Sequence, residues 1–153
     1  CALPISPYDA LVFERSDMEA PLPTADEAMA RLHDRFAGEF LARFSGNRVT
    51  HQARQVVCRL LPQGEPKREV VAQSLHLSQR TLQRRLQEEG TSFQTLLDDT
   101  RRELAQQYLA QPQMTLLEIA YLLGFADPSN FFRAFRRWFD ETPGEYRERK
   151  AIG

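Results

Sequence analysis

The sequence predicts an all-α protein with two helix-turn-helix subdomains that are joined by a long central helix and preceded by an amphipathic helix. Apolar residues recur every three or four positions through most of residues 24–150, which is the spacing of helices with one buried face. Residues that favour helix starts and ends separate these stretches. In addition, a pattern of short helix, tight turn and second helix occurs around Ala72 and again around Ala120.

The first part of the chain contains a weak strand pattern and one strong helix pattern. Residues 9–13 are a candidate strand among helix-breaking prolines. Thr24 and Glu27 form a capping box, and large apolar residues follow them at helical spacing. We predict an amphipathic helix over residues 24–45. Its apolar face must be buried against a copy of itself or against the following helices.

The second helix is predicted from about Arg48 to Leu61, where Pro62 ends it. Cys58 lies beside its apolar residues, so we expect a buried, unreactive thiol. Cys1 is the only other cysteine, and two cysteines form neither a disulfide framework nor a metal cluster. A reducing, cytoplasmic setting fits best. Because the sequence starts with cysteine rather than methionine, we expect a fragment of a longer protein.

The first helix-turn-helix is predicted at about residues 67–90. Pro66 is expected to open its leading helix at the first position. Ser78 is expected to cap its second helix, and Gly90 is expected to end that helix in the left-handed conformation.

A long helix over residues 92–110 follows, with Ser92 or the preceding threonine as its cap and Pro112 beyond its end. Arg101 and Arg102 on this helix are predicted to lie on a solvated face. A contact with DNA phosphate or with RNA polymerase is the alternative.

The second helix-turn-helix is predicted at about residues 115–139. Thr115 begins a capping box, Gly124 ends the leading helix, and Asp127 caps the second helix with a proline in its first turn. A last helix opens at Thr142 with another capping box.

The two units match at the positions that such a fold requires. Ala72 and Ala120 are small enough to let the second helix pack closely on the first, and Leu82 and Phe131 are the buried anchors of the second helices. The offset between units is 48 residues at the alanines and 49 at the anchors. The second turn therefore holds one additional residue.

Each second helix also has an outward face that suits DNA. The predicted DNA-binding residues are Gln79, Arg80, Gln83, Arg84 and Gln87 in the first unit and Ser129, Asn130, Arg133 and Arg137 in the second. Arginine, glutamine and asparagine can pair with guanine and adenine edges in the major groove. Two such helices reading one face of a duplex should lie about 34 Å apart. The alternative is a helical protein-interaction module that docks acidic partners on these basic faces.

Charge is unevenly distributed along the chain. Residues 1–49 contain five arginines and eight acids, a net charge of −3, whereas residues 50–153 contain fifteen basic and thirteen acidic residues, a net charge of +2. The stretches 78–87 and 128–139 each contain three arginines and no acid. Local charge matters more than net charge for phosphate binding, so both stretches could face a polyanion. The alternative is that these arginines lie on an ordinary solvated helix face.

No pattern indicates an enzyme, a metal site or a cofactor. His33, His51 and His76 lack acidic or cysteine partners at metal-binding spacing. Asp98 and Asp99 are adjacent on a helix, so their side chains point about 100° apart and cannot form an acid–base pair. No apolar run approaches the length that spans a membrane.

Residues 123–138 read LGFADPSNFFRAFRRW, and residues 142–147 read TPGEYR. These segments resemble the second-motif signature of the AraC/XylS transcription regulators, a bacterial family. Residues 78–86, SQRTLQRRL, are similar to the first recognition helix of that family. The resemblance covers about residues 50–150 and implies a cytoplasmic, sequence-specific regulator that binds double-stranded DNA.

The resemblance also implies a domain division and further partners. Residues 50–150 correspond to the family's DNA-binding domain, and residues 1–49 resemble the tail of its effector and dimerisation domain. This implies a homodimer contact through residues 24–45, a small-molecule effector on a preceding domain, and RNA polymerase as a partner.

Overall fold

The computed structural model describes residues 23–43 and 48–152, in which every regular element is a helix. The elements are α1 (Pro23–Leu41), α2 (Val49–Leu60), a 3-10 helix (Leu61–Gln63), α3 (Arg68–Ser74), α4 (Gln79–Glu88), α5 (Phe93–Leu109), α6 (Leu116–Leu122), α7 (Pro128–Phe139) and α8 (Pro143–Ile152). Helices α3 and α4 form the first unit, and α6 and α7 form the second. The predicted all-α class is confirmed, while the strand expected at residues 9–13 lies outside the described residues.

Helix α5 lies at the centre of the packing. Its residues Leu97, Leu104, Ala105 and Tyr108 are fully buried, and it contacts α1, α2 and α6. Buried residues of both units join those of α5 in one continuous apolar cluster. The two units therefore share one apolar core.

The apolar face of α1 is covered within the chain. Phe36 and Phe40 are almost completely buried, and the helix packs against α2 and α5. Of the two alternatives for this face, packing on the following helices is the one observed. A homodimer contact through residues 24–45 stays a prediction, and its last residues lie outside the described ranges.

A buried polar group ties α1 to the core. His33 is 3% exposed; its Nε2–H donates to the carbonyl oxygen of Cys58 at 2.7 Å, and its Nδ1 accepts from the hydroxyl of Tyr108. Burial lowers the pKa of His33, so the imidazole is neutral. Cys58 is buried as predicted, and burial raises the pKa of its thiol to about 12, which disfavours the reactive thiolate.

Side-chain caps start five helices where the sequence indicated them. Ser78, Ser92, Thr115, Asp127 and Thr142 each accept a hydrogen bond from a backbone N–H two or three residues ahead, at 2.9–3.1 Å. Each cap satisfies a donor that the first turn of a helix leaves without a partner.

The start of α3 was predicted wrongly. The helix begins at Arg68, after the extended Lys67 at the cap position, and not at Pro66. Pro66 is buried. The fixed backbone angle of proline suits an extended segment as well as a helix start, and here Pro66 lies in the extended segment before α3.

The prediction of a solvated face for Arg101 is also wrong. Arg101 is 5% exposed; its Nε donates to the carbonyl of Leu123 at 2.7 Å and its Nη2 to that of Gly124 at 3.0 Å. These carbonyls follow α6 and have no partner within that helix. Neighbouring helix residues point about 100° apart, so Arg102 remains half-exposed and pairs with Asp99 at 3.7 Å.

The turn of the second unit depends on a glycine. Gly124 has φ +80°, and a Cβ at this position would lie 2.8 Å from the carbonyl oxygen of Gly64 and 2.9 Å from that of Leu61. The equivalent turn residue of the first unit is His76, which has φ +60° and an exposed side chain. Only the second turn therefore requires the absence of a side chain.

The buried imidazole predicts pH-dependent stability. Because the folded chain holds His33 at a lowered pKa, the unfolded chain binds an additional proton once the pH falls below about 6.5, the ordinary pKa of histidine. The free energy of unfolding in urea should therefore be nearly constant well above that pH and should fall as the pH drops through it. His33→Gln keeps a neutral donor and acceptor and should flatten this dependence. The exposed His76→Gln is the matched control, and an unchanged slope in His33→Gln would contradict the assignment.

Gly124 and Gly90 form a matched pair for a second stability measurement. Both have positive φ, but a Cβ at Gly90 meets nothing within 4 Å. Gly90→Ala should lower the free energy of unfolding by about 1–2 kcal/mol through backbone strain alone. Gly124→Ala should lower the free energy of unfolding by about 1–3 kcal/mol more, because the added Cβ overlaps with backbone oxygens. Equal losses in urea unfolding would rule out the close approach.

Candidate nucleic-acid interface

The first unit holds α4 by its apolar side. Leu82 and Leu86 are fully buried, and Ala72 of α3 beneath them is 1% exposed. Leu77 in the turn is half-buried against the same core. These contacts fix the inward side of α4 and leave its opposite side in solvent.

The outward side of α4 consists of the residues predicted from the sequence. Gln79, Arg80, Gln83, Arg84 and Gln87 are all exposed. Arg84 Nε lies 3.6 Å from a carboxylate oxygen of Glu88, and Gln79 accepts from Arg68 Nε at 3.4 Å. Exposed pairs of this kind are weak, so both side chains can exchange these partners for a ligand.

The second unit holds α7 by aromatic anchors. Phe131 and Phe135 are fully buried, and Ala120 of α6 is 1% exposed. The Phe135 ring contacts Phe139 at 4.6 Å between centroids and Tyr146 of α8 at 5.3 Å. The last helix therefore supports the second recognition helix from behind.

The predicted residues of α7 differ in their surroundings. Asn130, Arg133 and Arg137 are exposed, whereas Ser129 is half-buried. Ser129 donates its hydroxyl to Asp127 at 2.8 Å, so it is part of the helix cap as well as the outward side. Arg133 Nη2 donates to Asn130 Oδ1, which links two candidate base-reading side chains.

Arg137 is held from the central helix. Its Nη2 lies 2.6 Å from Asp98 Oδ1, and Trp138 Nε1 donates to Asp98 Oδ2 at 2.9 Å. Arg137 remains exposed, so its other donors face solvent. The role of Asp98 was missed in the sequence because its partners are 39 and 40 residues away, and no local pattern indicates such a contact.

Matching structural positions of the two units have the residue offsets that the sequence repeat predicts. The alanines of α3 and α6 and the two positive-φ turn residues, His76 and Gly124, are each 48 residues apart. The caps Ser78 and Asp127 are 49 residues apart. The additional residue of the second turn is thus Ala126.

The chemistry available at these faces is hydrogen bonding and positive charge. Within residues 23–43 and 48–152, no three His, Cys, Asp or Glu side chains are grouped closely enough to hold a metal ion. No helix in the same ranges has the length and hydropathy needed to cross a membrane.

Comparisons with known proteins agree with this geometry. A family described as a helix-turn-helix domain matches residues 71–149. The chain is 39% identical over 144 residues to the ornithine utilization regulator of Pseudomonas aeruginosa, an alignment that covers 93% of this chain and 42% of that protein. The chain therefore spans less than half of that relative's length.

Two solved structures share the fold. The C-terminal domain of AraT, a response regulator from Geobacillus stearothermophilus, is 31% identical with a TM-score of 0.60, covering 67% of this chain and 85% of that one. The DNA-binding domain of AdpA, a global transcriptional factor solved with a target DNA, is 27% identical with a TM-score of 0.53. That likeness covers 63% of this chain and 90% of the AdpA domain.

Proposed function

The chain belongs to the AraC/XylS family of transcription regulators, and we propose that it binds one duplex DNA site through two recognition helices, α4 and α7, in adjacent major-groove segments. The first helix contributes Gln79, Arg80, Gln83, Arg84 and Gln87, and the second contributes Ser129, Asn130, Arg133 and Arg137. Residues 50–150 form the DNA-binding domain of a sequence-specific regulator.

One observation carries this proposal. Each unit presents an outward helix side made mainly of arginine and amide residues, with Glu88 at the end of α4 as its one acid, and each such side lies opposite a fully buried pair of anchors. A recognition helix needs this division, because its inward side fixes the approach angle while its outward side enters the groove. A bundle with a purely structural role does not require it twice at matched positions.

The alternative, a protein-interaction module for acidic partners, is less well supported. The same basic sides would serve it, but the relatives are transcriptional regulators, and the AdpA domain was solved with DNA. Their names favour a non-enzymatic regulator and give no support to docking on acidic proteins.

Further partners are proposed from the family alone. A small-molecule effector would bind a separate effector domain. RNA polymerase would be contacted by residues outside the DNA-facing sides. A homodimer through residues 24–45 would have to use the polar side of α1, because its apolar side is buried in cis. The regulator would act in the cytoplasm.

Selection of binding sites from random duplexes tests the function directly. The domain should enrich an asymmetric sequence that spans two major-groove segments. Its affinity should fall linearly in log–log coordinates as salt rises, because each neutralised phosphate releases counterions. Enrichment of no sequence would overturn the proposed function, and binding to acidic proteins with a weaker salt dependence would favour the alternative.

Arg84 and Arg133 are predicted to read bases. Each lies two residues beyond an anchor, in the middle of its helix, where a guanidinium reaches the groove floor. Replacing either with alanine should cost about 1–3 kcal/mol on the preferred site and should relax discrimination at one or two base pairs. Binding to the selected site and to a panel of single-base variants measures both effects.

Arg85 is the matched control, since it is an exposed arginine next to Arg84 that points about 100° away from it around α4. Its alanine variant should leave the base preferences unchanged. If Arg84→Ala and Arg133→Ala lose affinity equally for every duplex, both side chains bind phosphates, and base reading passes to Arg80, Gln83, Ser129 and Asn130.

Arg137 is predicted to bind a DNA phosphate. It lies near the end of α7, where the groove wall is closer than the floor, and Asp98 already orients it. Arg137→Ala should weaken binding to all sequences alike and should reduce the salt slope by about one phosphate contact. Arg149→Ala is the control, because Arg149 pairs with Glu141 at the same 2.6 Å but lies on α8. A slope that is unchanged in Arg137→Ala would exclude the phosphate contact.

A further inference from the structure

We propose that Arg101 is a positioning residue that holds the second recognition helix at a fixed orientation to the first, and thereby sets the spacing between the two DNA segments that the domain accepts. This inference rests on the proposed function. It goes beyond it by assigning spacing selectivity to a buried residue that touches no DNA.

Arg101 contacts both halves of the domain at once. Toward the second unit, it donates to the carbonyls of Leu123 and Gly124, and its guanidinium lies 4.0 Å from the Phe125 ring centroid. Toward the first unit, its Nη2 lies 3.7 Å from a carboxylate oxygen of Glu65, in the loop that leads into α3. We call these contacts the Arg101 junction.

The backbones of the two halves also meet at this junction. The Cβ position of Gly124 lies within 3 Å of the carbonyl oxygens of Leu61, the first residue of the 3-10 helix, and Gly64, the residue that follows this helix. Such an approach leaves no room for the turn to shift toward the 3-10 helix. The guanidinium of Arg101 holds the same turn from the side of α5.

The far end of α7 is fixed from the same helix. Asp98 precedes Arg101 by three residues, so both lie on one side of α5. Asp98 accepts hydrogen bonds from Arg137 and Trp138 in the last turn of α7. The second recognition helix is therefore held at its preceding turn and at its end, which defines its direction as well as its position.

A fixed orientation has a measurable consequence for DNA. When two linked helices are rigid, both can bind only if the two DNA segments have the matching separation and rotation. One inserted base pair rotates the second segment by about 35° around the duplex axis. A domain whose second unit can tilt would tolerate such insertions better, at the cost of weaker binding at the best spacing.

The experiment measures affinity against spacing. The site that the unaltered domain selects is rebuilt with one to three base pairs inserted or removed between its two segments, and each duplex is titrated at constant salt. The unaltered domain should lose affinity about 100-fold away from the best spacing. Arg101→Met keeps the buried stem and removes every donor, and its spread across spacings should shrink to about tenfold or less.

Two further variants keep the inference falsifiable. Arg101→Lys serves as the test if Arg101→Met does not fold. Lysine retains the charge but cannot donate to both carbonyls and also contact the Phe125 ring as arginine does, so its loss of affinity with altered spacing should be intermediate. Arg102→Met is the matched control, since Arg102 is the next residue and half-exposed. It should keep the steep profile.

The outcomes distinguish a failure of the proposed DNA-binding function from a failure of the positioning role of Arg101. If the unaltered domain selects no duplex, the proposed function fails before any spacing is measured. If it selects a site, and the folded Arg101 variants keep the steep profile or lose affinity equally at every spacing, the positioning role is overturned while the DNA-binding function stands. A flattened profile in the Arg101 variants alone confirms the inference.

Discussion

Burial of two anchor pairs is the interaction on which the rest of the domain depends. Helices α4 and α7 have 10 and 12 residues, and isolated helices this short are marginal in water. Their outward sides carry arginines and amides that contribute nothing to a core. Burial of their anchors therefore stabilises both helices: solvent is completely excluded from Leu82 and Leu86 in α4 and from Phe131 and Phe135 in α7. The central helix α5 supplies the common surface against which this burial occurs.

Two buried polar groups restrict how far the packed helices can rotate against one another. Burying a charged or polar group is costly unless its hydrogen-bonding capacity is satisfied, and both His33 and Arg101 meet that condition with backbone carbonyls. Apolar contacts alone tolerate small rotations of one helix on another. Such rotations would break the hydrogen bonds of the imidazole between α1 and the core. They would also break those of the guanidinium between the two units.

Local features of the fold could be predicted from the sequence, and distant pairings could not. The caps at Ser78, Thr115 and Asp127 follow from residues close together in the chain, and the repeat and the additional turn residue follow from comparing two stretches of the sequence. The partners of Arg101 and His33 lie 22 to 75 residues away, and nothing in the local pattern identifies them. The solvated-face prediction for Arg101 failed because neighbouring helix positions diverge, so the exposure of Arg102 says nothing about Arg101.

Hydroxyl-radical footprinting on the selected site shows whether α4 and α7 contact one side of a single duplex. We expect two protected patches on the same side of the DNA, with centres about ten base pairs apart. Arg84→Ala should weaken one patch, and Arg133→Ala should weaken the other. A single patch, or two patches on opposite sides of the duplex, would show that the two helices do not bind one side of the same site.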